Sequence, residues 1–199
     1  MAMDHAADGA PFREASDRIE ALWRPEIARL RIPGVGRPEA ELLATLAAVN
    51  GARRVLELGT AIGYSTAYLA RGMGPTGRVT AVDLSPERSD VARQLWARAG
   101  LADRIALYEG DALELVSALG AGYDLVFVDL LWEIRVYELG RQLARHAAGA
   151  LRPGGLLVAD HCGQQVPAAG GLMEEIAAGP FRTTALLPLG DGVFVAVTR

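Results

Sequence analysis

The sequence predicts an α/β fold with a doubly wound, seven-stranded and mostly parallel sheet. Three observations support this class. Short apolar runs alternate with helical patterns after Asn50, carboxylates follow the ends of such runs, and a glycine-spaced turn connects the first run to a helix. Repeated strand-helix-strand units require right-handed crossovers, which place the helices on both faces of one sheet.

Composition limits the classes of function. The chain has 199 residues, 51% of them apolar and 22% charged, with a formal net charge of −4. This balance fits one folded domain and disfavours a nucleic-acid surface. No apolar run approaches the ~20 residues that span a bilayer, so no membrane partner is expected. Because Cys162 is the single cysteine, we expect a cytoplasmic protein. We also expect a disordered N-terminus at 1–10 and one domain at 11–199, of which 11–35 form an N-terminal helix and lid.

Two helices are predicted before the alternating region. Apolar residues at near-helical spacing indicate the first from Phe12 to Leu30, with a kink at Pro25. Pro38 opens the second, which Asn50-Gly51 ends. Trp23 has three open roles: it covers a pocket, forms a dimer seam or packs on its own domain.

The remaining elements follow in order. Strands are predicted over Val55–Leu58, Arg78–Asp83, Arg104–Tyr108, Tyr123–Asp129, Leu156–Asp160, Thr183–Leu187 and Val193–Thr198. Helices are predicted over Tyr64–Arg71, Ser85–Ala99, Ala112–Leu119, Glu133–Leu151 and near Leu172–Ala178. A turn is predicted at Arg152–Gly155, and the last two strands pair as a hairpin across Gly190-Asp191-Gly192. That hairpin leaves one antiparallel strand in the sheet.

The candidate site is the rim where the parallel strands end. Ligands bind there in doubly wound sheets, and the rim carries the carboxylates Glu57, Asp83, Asp111, Asp129 and Asp160. The first turn, VLELGTAIGYS from Val55 to Ser65, has glycines that let backbone approach a ligand and leads into a helix N-terminus. Its E-x-G-x-x-x-G spacing is not G-x-G-x-x-G, which favours S-adenosylmethionine over NAD. The alternative is an ordinary turn with structural glycines.

The segments VLELGTAIGYS, AVDLSPE, AGLADRIALYEGDALE, YDLVFVDL, LRPGGLLVADH and GDGVFVAVT together resemble the catechol and caffeoyl-CoA O-methyltransferase family. The resemblance covers most of residues 36 to 199. It implies a class I methyltransferase (Rossmann-like) fold with extra N-terminal helices. It also implies methyl transfer from S-adenosylmethionine to a phenolic hydroxyl of a small molecule held on a divalent metal, commonly in a homodimer.

The resemblance also assigns cofactor-binding residues. Asp83 accepts hydrogen bonds from the ribose hydroxyls, next to Leu84, while Asp111 and Ala112 meet the adenine. The methionine portion is surrounded by Glu57, Gly59, Thr60, Gly63 and Ser65, with Asp129 at its edge. Three alternatives stay open: Asp83 or Asp111 serves only as a helix cap, and Glu57 only orders neighbouring loops.

The implied metal ligands are Asp129, Asp160 and His161. The family usually has asparagine at the last position, so His161 replaces an amide oxygen with an imidazole nitrogen. This donor set shifts the preference from Mg²⁺ toward Mn²⁺, Fe²⁺, Co²⁺ or Zn²⁺, although geometry and availability could keep Mg²⁺. Alternatively, His161 only forms hydrogen bonds within its loop.

A second departure concerns proton removal. Where the family has a lysine three residues after the first metal aspartate, this chain has Trp132, and Leu131 replaces a second acid. Trp132 forms a wall of an apolar acceptor pocket or packs its helix. His161 or Glu133 is then the candidate proton acceptor. The predicted catalytic residues are Asp129, Trp132, Glu133 and His161.

The sequence thus favours a metal-assisted O-methyltransferase that acts on a catechol-like or vicinal-oxygen acceptor. One alternative is a related protein that binds the cofactor but catalyses a cyclisation or rearrangement, since the lysine is missing. Others are a cofactor sensor without turnover and a tRNA hydroxyl methyltransferase, which the acidic balance disfavours. A nicotinamide oxidoreductase is the least favoured because G-x-G-x-x-G is missing.

Overall fold

The computed structural model describes residues 10–163 and 166–199. The predicted disordered segment at 1–10 lies outside the described residues except for Ala10, which begins the first helix. Within the described ranges the helices are α1 Ala10–Leu30, α2 Arg37–Val49, α3 Tyr64–Gly72, α4 Pro86–Arg98, α5 Ala112–Ala118, α6 Leu131–Ile134, α7 Tyr137–Ala150 and α8 Pro167–Ala178. The strands are β1 Arg54–Leu58, β2 Arg78–Asp83, β3 Ile105–Glu109, β4 Tyr123–Val128, β5 Leu151–Ala159, β6 Phe181–Leu187 and β7 Val193–Thr198.

The strands form one seven-stranded sheet in the order β3-β2-β1-β4-β5-β7-β6. Strands β1 to β5 run parallel, and β7 is antiparallel to both β5 and β6. This confirms the predicted doubly wound sheet with one antiparallel strand. The order reverses between β1 and β4, and ligands of such folds bind at the carboxyl end of that switch point.

Both faces of the sheet are covered by apolar helix faces. One layer packs Trp23, Leu43, Tyr68 and Trp96, from α1 to α4, on the sheet. The other layer packs α5 to α8, with Leu143 and Leu172 buried at their centres. The central strand β4 is buried on both faces, which explains its continuous apolar run. No helix of the described residues has the length and apolarity needed to cross a bilayer.

Two predicted elements were wrong in extent. The helix predicted over Glu133–Leu151 is two helices, α6 and α7, because Arg135 adopts a left-handed conformation (φ 49°) that caps α6 and turns the chain. The turn predicted at Arg152–Gly155 lies inside β5 as an irregular stretch with Gly154 at φ 71°. The Thr198 hydroxyl bonds Arg152 O and Gly155 N–H, so β7 holds this stretch in the sheet.

Asp124 of β4 forms hydrogen bonds to residues at the amino-terminal ends of β1 and β5. Its Oδ2 accepts the backbone N–H groups of Arg53 and Arg54, both at 2.8 Å, and its Oδ1 accepts Nε of Arg152. Burial alone would raise the pKa of Asp124, but the Arg152 guanidinium and these two N–H groups outweigh it and hold the pKa below its ordinary value.

We expect Asp124→Asn to destabilise the protein by about 1–3 kcal/mol at neutral pH, since hydrogen bonds to a charged group contribute this much. A depressed folded-state pKa gives stability that is present above the unfolded-state pKa and lost as pH falls through the folded-state value. The difference between wild type and variant should therefore close below about pH 4. Urea unfolding across pH measures it, with the exposed Asp103→Asn as the control. A difference that persists in acid would contradict the ionic role of Asp124.

Candidate functional site

The glycine-spaced turn connects β1 to α3 and is held by its protein neighbours. Gly59 has φ 92°, and a Cβ there would lie 2.3 Å from the carbonyl oxygen of Asp129. Gly63 has φ 76°, and a Cβ there would lie 2.3 Å from Nε1 of Trp96, which donates to Gly63 O at 3.0 Å. These close approaches are to the residue after β4 and to a side chain of α4, which favours the alternative of structural glycines over an approach to a ligand.

Glu57 lies beneath this turn and is fully buried. Its Oε1 accepts the Ser65 hydroxyl at 2.5 Å, and its Oε2 accepts the hydroxyls of Thr60, at 2.8 Å, and Thr66. Burial raises the pKa of Glu57, while these three hydroxyls oppose the rise. Thr60 and Ser65 line an open cavity whose lining does not include Glu57. This geometry favours the alternative that Glu57 orders the loop.

The N-terminal segment covers the same turn. Trp23 is buried, and its Nε1 donates to Ile62 O at 2.8 Å, so α1 packs on its own domain through this residue. Beyond α1, Ile32, Pro33 and Gly34 line the cavity next to the turn. The predicted lid at 11–35 therefore contributes its C-terminal end to the site.

A second open cavity, of about 230 Å³, lies over the ends of β2 and β3. Its lining includes Gly59 and four residues predicted for the cofactor: Asp83, Leu84, Asp111 and Ala112. Asp83 accepts the N–H groups of Ala61, at 2.7 Å, and Ser85, at 2.9 Å. Its pKa is raised by burial, against the effect of these two bonds.

The helix-cap alternatives are resolved differently for the two aspartates. Ser85, rather than Asp83, caps α4, because its hydroxyl accepts Arg88 N–H at 3.3 Å. Asp111 does cap α5, since its Oδ1 accepts Leu113 N–H at 2.7 Å. A carboxylate has about four acceptor positions, so Asp83 and Asp111 both retain capacity for a ligand in the cavity.

The predicted metal ligands converge at the ends of the adjacent strands β4 and β5. One ligand atom each from Asp129, Asp160 and His161 lies within 4.8 Å of the others. Nδ1 of His161 is 3.3 Å from Oδ2 of Asp160 and 3.6 Å from Oδ1 of Asp129. His161 has φ 61°, a left-handed conformation that is uncommon outside glycine.

These residues fit a divalent cation. Oδ1 of Asp160 and Nδ1 of His161 are buried without a hydrogen-bond partner among the described residues. Burial, and then the neighbouring carboxylate of Asp160, raises the pKa of Asp129 well above its ordinary value. Burial likewise raises the pKa of Asp160. Two crowded carboxylates and an unpartnered imidazole nitrogen supply the donors that Mn²⁺, Fe²⁺, Co²⁺ or Zn²⁺ accept.

Trp132 and Glu133 line an open cavity whose lining also includes Asp129 and His161. The Trp132 ring is 6.2 Å from the His161 ring and 42% exposed, which favours the pocket-wall interpretation. Glu133 forms an ion pair with Arg88 at 3.2 Å. All 20 basic residues of the chain are arginine, so no lysine elsewhere can replace the missing one.

Three residues near the site were not predicted: Arg88, Glu39 and Asp191. Arg88 lines the same cavity, Glu39 lies against Gly190, and Oδ2 of Asp191 is 3.6 Å from Nε2 of His161. Arg88 follows the Ser85-Pro86 helix start, a signal that could have indicated it. Asp191 lies in a hairpin turn whose sequence indicates only a turn.

Comparisons with known proteins agree with this geometry. Residues 23–199 match the O-methyltransferase family. The chain is 38% identical over 147 residues to a catechol O-methyltransferase of Mycobacterium tuberculosis, covering 69% of this chain and 66% of that protein. It resembles the solved O-methyltransferase from Bacillus cereus in complex with SAH, at 27% identity and a TM-score of 0.78, over 92% and 91% of the two chains. It also resembles the O-methyltransferase TomG from Streptomyces achromogenes in complex with SAM, at 26% identity and a TM-score of 0.72, over 93% and 89%.

The family match covers nearly the whole described domain, and it coincides with the strand order, the β1–α3 turn and the rim of carboxylates found in the structure. The class I, Rossmann-like architecture implied by the resemblance is therefore confirmed. This chain belongs to the O-methyltransferase family.

Proposed function

We propose that this enzyme methylates one oxygen of a small acceptor with two neighbouring oxygens, held by a divalent metal at Asp129, Asp160 and His161. S-adenosylmethionine is the methyl donor. The observation that carries the proposal is the pair of unpartnered buried atoms, Oδ1 of Asp160 and Nδ1 of His161, beside the carboxylate of Asp129. A divalent cation held by these residues would accept hard oxygen ligands such as neighbouring hydroxyls.

The cofactor is assigned to the cavity over β2 and β3. Asp83 offers carboxylate oxygens to the ribose hydroxyls, and Asp111 and Ala112 face the adenine. Thr60 and Ser65 lie on the other side of Gly59, where the methionine portion is expected. Asp129 lines both the cavity beside Thr60 and Ser65 and the cavity beside Trp132 and His161. The methyl carbon of the cofactor and the acceptor oxygen can therefore meet beside Asp129.

In the transfer, the acceptor oxygen bonds the methyl carbon as the sulfonium bond breaks, giving a methyl ether, S-adenosylhomocysteine and one proton. A bound divalent cation lowers the pKa of a coordinated hydroxyl. Because His161 is used as a metal ligand, Glu133, which is paired with Arg88, is the remaining candidate proton acceptor. Trp132 bounds the acceptor on its apolar side, and Ile32 to Gly34 restrict water.

Metal removal tests this function. The enzyme is incubated with catechol and methyl-deuterated S-adenosylmethionine, and products are followed by mass spectrometry. We expect chelation by EDTA to reduce labelled product at least ~100-fold, with recovery on adding Mn²⁺. S-adenosylhomocysteine affinity, measured by calorimetry, should change less than about threefold, since Asp83 and Asp111 hold most of the cofactor.

The outcomes separate the alternatives. Undiminished methylation after chelation would contradict the metal role. An altered acceptor with the label retained on the cofactor would favour the cyclisation or rearrangement chemistry. If no catechol or related diol is methylated with any of the metals supplied, the acceptor class is wrong.

Two further expectations belong to this proposal. A homodimer follows from the resemblance, and the molar mass in solution decides it. A cytoplasmic location, where thiols stay reduced, suits Cys162, which is free and buried. Burial raises the pKa of this thiol to about 12, so it is a poor nucleophile.

A further inference from the structure

The β6–β7 turn is fastened to the loop that carries His161. Cys162 N–H donates to Gly192 O at 2.8 Å, and Gly163 N–H donates to Asp191 O at 2.9 Å. The two segments are so close that a Cβ on Gly192 would lie 2.1 Å from Gly163 N. The backbone therefore fixes the position of Asp191 relative to His161, independently of the Asp191 side chain.

Both ring nitrogens of His161 face carboxylates. Nε2 is 3.6 Å from Oδ2 of Asp191, and Nδ1 faces Asp129 and Asp160. The Asp191 side chain is 51% exposed, whereas that of Asp160 is 3% exposed. The outer carboxylate is thus the solvated one, whereas the side chains of the inner pair, Asp129 and Asp160, are 12% and 3% exposed.

A neutral imidazole carries one N–H, on either nitrogen. A proton on Nδ1 would occupy the direction in which a metal must be bound. A proton on Nε2 would point at Asp191 and leave the Nδ1 lone pair facing the two inner carboxylates. Ligating histidines commonly donate their other N–H to a carboxylate, which fixes the tautomer and the ring orientation.

We propose that Asp191 is a positioning residue that keeps the proton of neutral His161 on Nε2, so that Nδ1 is free to ligate the metal. The inference rests on the metal site proposed above. Glu39 does not share this role, because within the described residues the carboxylates that pair with His161 are those of Asp129, Asp160 and Asp191.

The tautomer can be measured in the metal-free protein. ¹⁵N NMR at a pH where the imidazole is neutral distinguishes a protonated from an unprotonated ring nitrogen, and His161→Asn identifies the His161 signals among the three histidines. We expect Nε2–H in the wild type and a mixture of tautomers in Asp191→Ala. An Nδ1–H tautomer in the wild type, or no change in Asp191→Ala, would overturn the proposal.

Metal affinity supplies the second readout, with free Mn²⁺ followed by electron paramagnetic resonance. Asp191→Ala should weaken Mn²⁺ binding ~10–100-fold, as losses of such partners do. In a His161→Asn background the same substitution should weaken binding less than about threefold, because an amide oxygen has no tautomer to fix. The exposed Asp103→Ala is the charge-matched control and should leave the affinity unchanged.

Equal weakening in both backgrounds would mean that Asp191 acts only through its charge, and the positioning role would be wrong. Absence of Mn²⁺ binding by the wild type would instead remove the metal from the proposed function, while the NMR result would still decide the tautomer. Circular dichroism confirms that each variant is folded, which the backbone bonds of the turn favour.

Discussion

Replacing Asp129 with asparagine should raise stability and remove activity at the same time. The Asp129 carboxylate, whose side chain is 12% exposed, lies beside Asp160, and the charged forms of the two repel each other in the metal-free protein. An amide of the same shape removes that repulsion. We expect the metal-free variant to gain about 1–2 kcal/mol, or a Tm higher by about 3–6 °C for a domain of this size.

The same variant should lose the metal-dependent function. Loss of one anionic ligand should cost at least the ~10–100-fold that loss of an outer partner costs, both in Mn²⁺ affinity and in methylation at limiting Mn²⁺. At the same Mn²⁺ concentration the Tm should rise more for the wild type than for Asp129→Asn. The exposed Asp103→Asn controls for general charge effects. A lower Tm of the metal-free variant would contradict the repulsion, and retained Mn²⁺ affinity would contradict the need for an anionic ligand at position 129.

Gly63→Ala should strongly destabilise the protein. The new Cβ would require left-handed backbone at φ 76° and would overlap the Trp96 indole, 2% exposed and held by its bond to Gly63 O. Strain and overpacking together should cost about 3–5 kcal/mol. The urea midpoint at unchanged m-value measures this loss.

Gly100→Ala is the matched control, because Gly100 has φ 70° but nothing within 4 Å of its Cβ position. It should cost only the backbone strain, about 1–2 kcal/mol. In a Trp96→Ala background the cost of Gly63→Ala should fall toward that of Gly100→Ala, since the clashing ring is gone. Equal costs of the two glycine variants in the wild type would show that packing against Trp96 is not what requires glycine.

Much of the fold could be predicted from sequence because strands and helices differ in period and in their end signals. The strand Arg78–Asp83 has the predicted bounds, and Pro86 and Gly51 mark helix ends where expected. The errors fell where tertiary contacts override local pattern. Hydrogen bonds with Thr198 hold the proline and glycines of β5 in the sheet, where a turn was predicted. The left-handed backbone of Arg135 ends α6, although the apolar periodicity of the sequence predicts that the helix continues.

The candidate site divides in a similar way. Strand ends alone predicted which carboxylates share a rim, because parallel strands end at the same edge. The roles of individual residues could not be predicted in this way. The carboxylate of Glu57 accepts hydrogen bonds from three hydroxyls, and the indole N–H of Trp23 donates to Ile62 O.

By itself, the sequence determined the fold class, the family and the placement of carboxylates at the ends of the parallel strands. These depend on residue type and order along the chain. Only the tertiary structure decided why Gly59 and Gly63 are glycines and which group faces His161. Those answers depend on contacts with Asp129, Trp96 and Asp191, which are distant in sequence. Spacing along the chain carries no information about such contacts until the sheet brings the segments together.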